Sequence, residues 1–272
     1  MDNIQLKNLK AFDNAGPGIE STTEANNVVA NGITAYENGT YGILISSSGI
    51  NNFTNCVTYN NERSGTYLNF ASNVVVSDSK SYSNKEHGFF AENCLNSHKF
   101  ENCEAYTNTQ DGFNVYGDEF TITIDSCISR QNTGSGFFFS RARSKILNSQ
   151  SYKNGDMGVF ITVYATATNN TIYENGTRGL RIYGSNGTFT KNYIHSNSQR
   201  QNAGSDNVEI SAKGSNNKIT GNTIKTGTLT KKPRYGIYVA ASSCTNNVIS
   251  PNDVKGSGAT KDVQNLGTGT VL

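Results

Sequence analysis

Proline and charge are scarce in this chain. Only 3 of its 272 residues are proline and 16% are charged, which argues against a disordered tail or linker. No apolar run approaches the roughly 18 residues that a membrane-crossing helix needs. The N-terminus lacks the basic-then-apolar pattern of a secretory signal, so it neither shows nor excludes secretion. A dominant sign of charge is missing too. Against 23 Lys and Arg stand 21 Asp and Glu, and the net charge of +2 gives no global reason to expect nucleic acid. The five cysteines are odd in number and stand in no metal-ligand spacing. Hydrophobic residues make up only 35%. What is abundant is Asn, with 38 residues, and Gly, with 27. Both favour turns over helix interiors, far from the composition of a helical protein. The small net charge hides an asymmetry: residues 1–136 hold 7 basic and 15 acidic side chains, a net of −8, and residues 137–272 hold 16 and 6, a net of +10.

One pattern recurs: a small residue, an aromatic, any residue, Asn, a short gap, then Gly and a large apolar residue. It reads Ala35-Tyr36-Glu37-Asn38 with Gly42-Ile43, Ser81-Tyr82-Ser83-Asn84 with Gly88-Phe89, and Ala105-Tyr106-Thr107-Asn108 with Gly112-Phe113. It returns as Ser151-Tyr152-Lys153-Asn154 with Gly158-Val159 and as Ile172-Tyr173-Glu174-Asn175 with Gly179-Leu180. The glycines recur every 21 to 24 residues until an insertion around residues 198–206. A weaker copy follows at Asn207-Val208, and the last coil is degenerate. Around these lie short runs of period two, such as Phe89 with Ala91, Phe113 with Val115 and Phe137 with Phe139. Strands this short, broken by Asn and Gly turns, fit no helical template.

One coil cannot bury its own apolar face, but stacked coils bury a continuous core and pair every backbone group with the coil above and below. The expected fold is all-β: a single-stranded right-handed parallel β-helix of about ten to eleven coils, roughly 50 Å long at a strand separation of about 4.8 Å. The repeat Asn is expected at a tight turn, with its amide stacked in a ladder. Cys56, Cys103 and Cys127 share one coil position with Ser79 and Ser149, as a column of small inward residues. Cys94 and Cys244 carry no motif. Residues 1–272 are expected to form one domain, a module of a larger protein, with residues 253–272 as a C-terminal cap. Open solenoid ends are unpaired edges, so neighbouring domains or the partners of a homotrimer are expected to cover them.

Taking each glycine as the start of a strand, residues two and four after it face out. Phe90, Tyr116, Phe138, Phe160 and Tyr183 then form an aromatic stripe, bordered by Arg141, Arg143, Arg178 and Arg181. With Asn114 these are the candidate saccharide-binding residues: rings stack on sugar C–H faces and guanidinium forks hold carboxylates. An oligomer interface, or cover by loops, would explain the same stripe. Glu92 and Tyr116 share a column in adjacent coils, with Asn69 one coil below and Asp111, Asp118, Glu119 and His87 near by. A carboxylate beside a phenol suits removal of a proton α to a sugar carboxylate. Glu92 with Asp118 would instead suit a hydrolase pair, and ordinary solvated charge explains the same carboxylates. His195 replaces the repeat aromatic and is expected to be structural. No cluster has metal spacing.

The coils from Ser81 to Phe89 and from Ala105 to Val115, followed by Ser135-Gly136-Phe137-Phe138-Phe139-Ser140-Arg141, resemble the catalytic module of mannuronan C5-epimerases. Gly221-Asn222-Thr223-Ile224 and Tyr235-Gly236-Ile237 are similar to its closing coils. Gly88-Phe89-Phe90-Ala91-Glu92 is similar to that family's Gly-Phe-Val-Ala-Asp stretch. One coil earlier, where its signature reads Tyr-Gly-Phe-Asp-Pro-His, Ser64 replaces the tyrosine and Asn69 the histidine. Bacteriophage tail spikes and appendage proteins share the repeat. The resemblance implies a polysaccharide-processing protein acting on an acidic glycan by lyase or epimerase chemistry. Glu92, Tyr116 and Asp118 are then the candidate catalytic groups and Arg141 a carboxylate clamp. The alternative is a non-catalytic polysaccharide-binding adhesin or tail-spike module. The expected partner is an anionic polysaccharide, with neither nucleic acid nor membrane, outside the cell or on a virion surface. No cofactor is expected; calcium, the one ion left open, has no clear motif.

Overall fold

The computed structural model describes residues 3–118, 120–211 and 213–272. The chain is all-β: among the described residues there are 31 strands, most of three or four residues, and no helix. Two compact units divide it, residues 1–134 with 141–143 and residues 135–140 with 144–272. Each is a parallel β-solenoid in which a turn of chain gives one strand to each of three sheets. In unit 1 the third sheet holds Ile19–Ser21, Ile43–Ile45, Thr66–Asn69, Phe89–Glu92 and Phe113–Tyr116. In unit 2 it holds Phe137–Ser140, Val159–Ile161, Leu180–Ile182, Val208–Ile210, Tyr235–Val239 and Lys261–Asn265. That makes eleven turns, and the repeat glycines mark where most of these strands begin.

Register follows the period. Phe89 lies opposite Phe113, Phe90 opposite Asn114, Ala91 opposite Val115 and Glu92 opposite Tyr116. The first and third of each four are fully buried, and the Phe89 and Phe113 rings stack with centroids 4.8 Å apart. Phe137 and Phe139 of unit 2 point inward in the same way. The weaker copy after the insertion does form a strand, Val208–Ile210, paired with Leu180–Ile182. The tail continues the pairing: Lys261–Asn265 runs parallel to Tyr235–Val239, and Val271 bridges Val248.

The Asn ladder turns each coil. In unit 1, Asn14, Asn38, Asn61, Asn84, Asn108 and Asn132 are linked in series, each Nδ2 donating to the next Oδ1 at 2.9–3.0 Å. In unit 2, Asn154, Asn175, Asn197 and Asn207 do the same. The residue just before the ladder takes the left-handed conformation without being glycine, as at Glu37, Asn60, Ser83, Thr107 and Gln131. That backbone is uncommon for such residues. It holds here because the amide next to it bonds both its neighbours. The repeat aromatics form a second ladder. Phe12, Tyr36, Tyr59, Tyr82 and Tyr106 stack at 4.7–5.1 Å, and Arg130 covers the last ring at 4.3 Å. In unit 2, His195 stacks on Tyr173 as an aromatic would. The cysteine column is also present: the Cys56 N–H donates to Ser79 Oγ and the Cys103 N–H to Cys127 Sγ. All five cysteines are buried thiols outside any disulfide. Burial pushes Cys56 up to about 11 and Cys94 up to about 12, far from a reactive thiolate.

Candidate functional site

Three side chains per turn line the outer side of the third sheet: the residue before the glycine and those two and four after it. In unit 1 the first column is Tyr41, Ser64, His87 and Asp111. The second is Tyr67, Phe90 and Asn114, and the third is Asn69, Glu92 and Tyr116. Tyr67 is only 7% exposed because Tyr41 and Phe90 pack on it, with centroids 4.6 and 4.8 Å away. Its hydroxyl donates to Glu92 Oε2 at 2.7 Å. Burial, then the carboxylate beside it, pushes this phenol well above its ordinary value, so it stays a donor. The carboxylate of Glu92 is thereby held from the coil below. Its strand neighbour on the other side, across the Glu92–Tyr116 register, is the exposed ring of Tyr116.

Around Tyr116 a second group gathers. The Arg141 guanidinium lies 5.7 Å from the ring centre and 3.5 Å from Asp118 Oδ2. With Phe70 and Leu95, both well exposed, these residues line a pocket of about 370 Å³. Glu119 lies outside the described residues.

On the opposite margin His87 packs on Phe90 with centroids 5.0 Å apart. Its Nδ1 accepts the Asp111 N–H, and Asp111 Oδ2 accepts from the Asn114 amide at 2.7 Å. Because Nδ1 carries no proton, its 3.4 Å approach to Asp111 Oδ2 is not an ion pair. Burial lowers His87 to about 4, and His98 likewise. His98 has both nitrogens engaged, Nδ1 with the Val74 N–H and Nε2 with the Leu95 carbonyl. These folded values lie below the 6.5 of a free imidazole, so the unfolded chain takes up protons first. Stability is therefore full above pH about 6.5, falls from there to about pH 4, and levels off below, by up to about 3 kcal/mol per histidine. Urea unfolding across this range should show the fall, and His98→Gln should remove about half of what His87 and His98 together contribute to it.

In unit 2 the second column is Phe138, Phe160, Arg181, Glu209 and Tyr238. Phe138 and Phe160 pack at 4.9 Å, and the Arg181 guanidinium lies 5.6 Å above Phe160. Glu209, buried at 4% exposure, meets Arg178 through Oε2 and Arg181 Nε through Oε1 at 3.4 Å. Asp206 is fully buried and accepts from Arg234 Nε at 3.1 Å and Nη2 at 2.9 Å. Burial raises Asp206 against the pull of Arg234. Tyr183 is exposed and shares a pocket of about 230 Å³ with Tyr164 and Lys213.

The sequence matches the model of a right-handed β-helix region over residues 2–149, 83–212 and 145–270. The chain belongs to the right-handed β-helix family. No curated protein matches it. Among solved structures this β-helix is similar to the A-module of mannuronan C-5 epimerase AlgE6 of Azotobacter vinelandii, with 19% identity, 90% of this chain and 76% of that one covered, and a TM-score of 0.69. It is also similar to the pectate lyase Pel9A, with 19% identity, 62% and 52% covered, and a TM-score of 0.51. Tailspike protein 3 of bacteriophage CBA120 matches with 12% identity, 97% and 52% covered, and a TM-score of 0.52. At such identities these likenesses show the fold alone.

Phe90 is half-buried with a face against Tyr67 in unit 1, and Phe138 and Phe160 are half-buried against each other in unit 2; Tyr116 of unit 1 and Tyr183 of unit 2 are the more exposed rings. Arg178 and Arg181 turn to Glu209, and Arg141 to Asp118. The structure brings Glu92 and Phe90 together with Tyr67, and Tyr116 together with Asp118 and Arg141. The column before each glycine has a period as regular as the glycines themselves, and the sequence offers three of its members, His87, Asp111 and Arg178, as candidates without marking the column. It contributes His87 and Asp111 in unit 1, and Arg178, Asp206 and Tyr235 in unit 2. Among the described residues, no group of three or more His, Cys, Asp and Glu is arranged to hold a metal ion.

Proposed function

We propose that this β-helix acts outside the cell or on a virion surface as a lyase of acidic polysaccharide, with Glu92 as the base and Tyr116 as the acid. The hydrogen bond from Tyr67 to Glu92 carries the reading. It fixes one carboxylate oxygen at the strand end and leaves the other for a proton α to a uronate carboxylate. In the step, the C5–H proton passes to Glu92, a C4–C5 double bond forms, the C4–O4 bond breaks, and O4 takes the proton of Tyr116. Both groups rise from one side of one sheet, a coil apart, which suits elimination. Inversion at C5 needs a proton delivered from the other face of the sugar. Arg141 beside Tyr116 suits the uronate carboxylate.

Oligogalacturonate, oligomannuronate and oligoguluronate are the substrates to offer, with unsaturated ends followed by absorbance and C5 epimers by NMR. Unsaturated ends are expected, and Glu92→Gln should slow their release about 10²- to 10⁴-fold with unfolding unchanged. Activity that survives this substitution, or an epimer as the product, rejects the assignment. Polymer retained without turnover favours a non-catalytic binding module. The arginine–carboxylate contacts of unit 2 support that second reading, since they offer binding groups and no proton-transfer pair.

A further inference from the structure

Three arginines and two buried carboxylates occupy successive turns of unit 2. Glu209 and Asp206 neutralise two of the three charges of Arg178, Arg181 and Arg234, leaving an excess of one. The surroundings add to it: unit 2 carries 14 basic and 6 acidic residues, and unit 1 carries 9 and 15. How the carboxylates are met is the telling feature. Arg178 and Arg181 each approach Glu209 through Nε. Arg234 engages Asp206 side-on through Nε and Nη2. No protein acceptor among the described residues meets Nη1 or Nη2 of Arg178 and Arg181, or Nη1 of Arg234. Arg181 Nε is itself buried without a hydrogen bond. Aromatic rings lie against two of the three forks. Phe160 lies beneath Arg181, and Tyr235 and Tyr238 lie 4.6 and 4.9 Å from Arg234. A network that served folding alone would match its charges and turn its donors inward. Here the acceptors are buried and each guanidinium keeps a partly open outer end.

We propose that Arg178, Arg181 and Arg234 form a carboxylate-binding subsite for an acidic oligosaccharide, with Glu209 and Asp206 as the internal anchors that aim the forks. The exposed rings of Tyr164 and Tyr183 beside Lys213 offer stacking surface in the same unit. The subsite rests on the acidic-polysaccharide reading but not on the proton-transfer step. It gives unit 2 the task of holding the polyanion, a task for which a planar fork is better suited than a point charge.

The test uses the full chain and calorimetric titration with oligogalacturonate, oligomannuronate and oligoguluronate, each beside its carboxyl-reduced counterpart. An acidic oligomer should bind, and its reduced counterpart at least about tenfold more weakly. Arg181→Lys and Arg234→Lys, which keep the charge and lose the fork, should each weaken binding about tenfold with the unfolding midpoint unchanged. If Arg234→Lys unfolds the chain, Arg181→Lys decides, because the Arg181 Nε has no hydrogen bond to lose. Unchanged affinity in Arg181→Lys, equal binding of the reduced oligomer, or no binding of any acidic oligomer overturns the subsite. Arginine-dependent binding without turnover upholds it and overturns the elimination reading alone.

Discussion

Replacing Asn84 by leucine is expected to destabilise the chain by about 3–5 kcal/mol, read as a lower urea midpoint at unchanged slope. The side chain is fully buried and works in both directions. Its Nδ2 reaches Asn108 Oδ1 at 3.0 Å and Ser81 Oγ at 3.1 Å, and its Oδ1 accepts from Asn61 N at 3.1 Å and Asn61 Nδ2 at 2.9 Å. Leucine matches the size but has no polar atoms, so the Asn61 backbone N–H is left buried without an acceptor and Asn108 loses a donor. Each such loss costs on the order of 1–3 kcal/mol. The strained backbone at Ser83, with φ of 54°, loses its brace as well. The same change at Asn14, where the ladder starts and the side chain only donates, should cost under about 1 kcal/mol. Equal effects at the two positions would mean that the ladder decorates the turn without holding it.

Gly65→Ala should be at least as damaging. A Cβ there would sit 1.9 Å from Ser81 Oγ, 2.5 Å from Thr58 Oγ1 and 2.7 Å from Asn84 Nδ2. None of these can swing away freely. Ser81 Oγ donates to the Gly88 carbonyl at 2.6 Å and accepts from Thr58 and Asn84. Relief requires the coils to part or the hydroxyl cluster to break, and a loss of about 3 kcal/mol or more is expected. Gly16→Ala meets nothing within 4 Å and should be neutral or stabilising by up to about 1 kcal/mol. The contrast explains why glycine recurs with the coil period: it stands where one turn passes closest to the next.

Periodicity made the strands, the register and the ladders legible, because a coil position repeats its environment every 21 to 24 residues. Gly88-Phe89 and Gly112-Phe113 predict their own stacking, and Tyr173 predicts that of His195. Period alone does not say which neighbour an outward side chain will choose. Glu92 has Tyr67 on one side and Tyr116 on the other, and its hydrogen bond goes to Tyr67. The buried carboxylates of unit 2 were hidden for a different reason. The insertion at residues 198–206 interrupts the count, and Asn207 takes the glycine's place just before Val208–Ile210. Asp206 and Glu209 then look like loop charges, although both are buried and paired with three arginines. The column before each glycine was equally periodic but mixed in chemistry, from tyrosine to histidine to arginine, and so gave no pattern of residue type.

The asparagine ladder has a consequence for how such a protein can change size. Every rung of unit 1 bonds an identical rung, so adding or deleting one whole coil leaves the same contacts on either side of the join. The rungs of unit 1 stand 23 or 24 residues apart and all keep their mates, so the arcs between rungs absorb a difference of one residue. Length in this architecture therefore behaves like beads on a string, extended by complete coils pinned at their rungs, with slack of a residue or two in the thread between them.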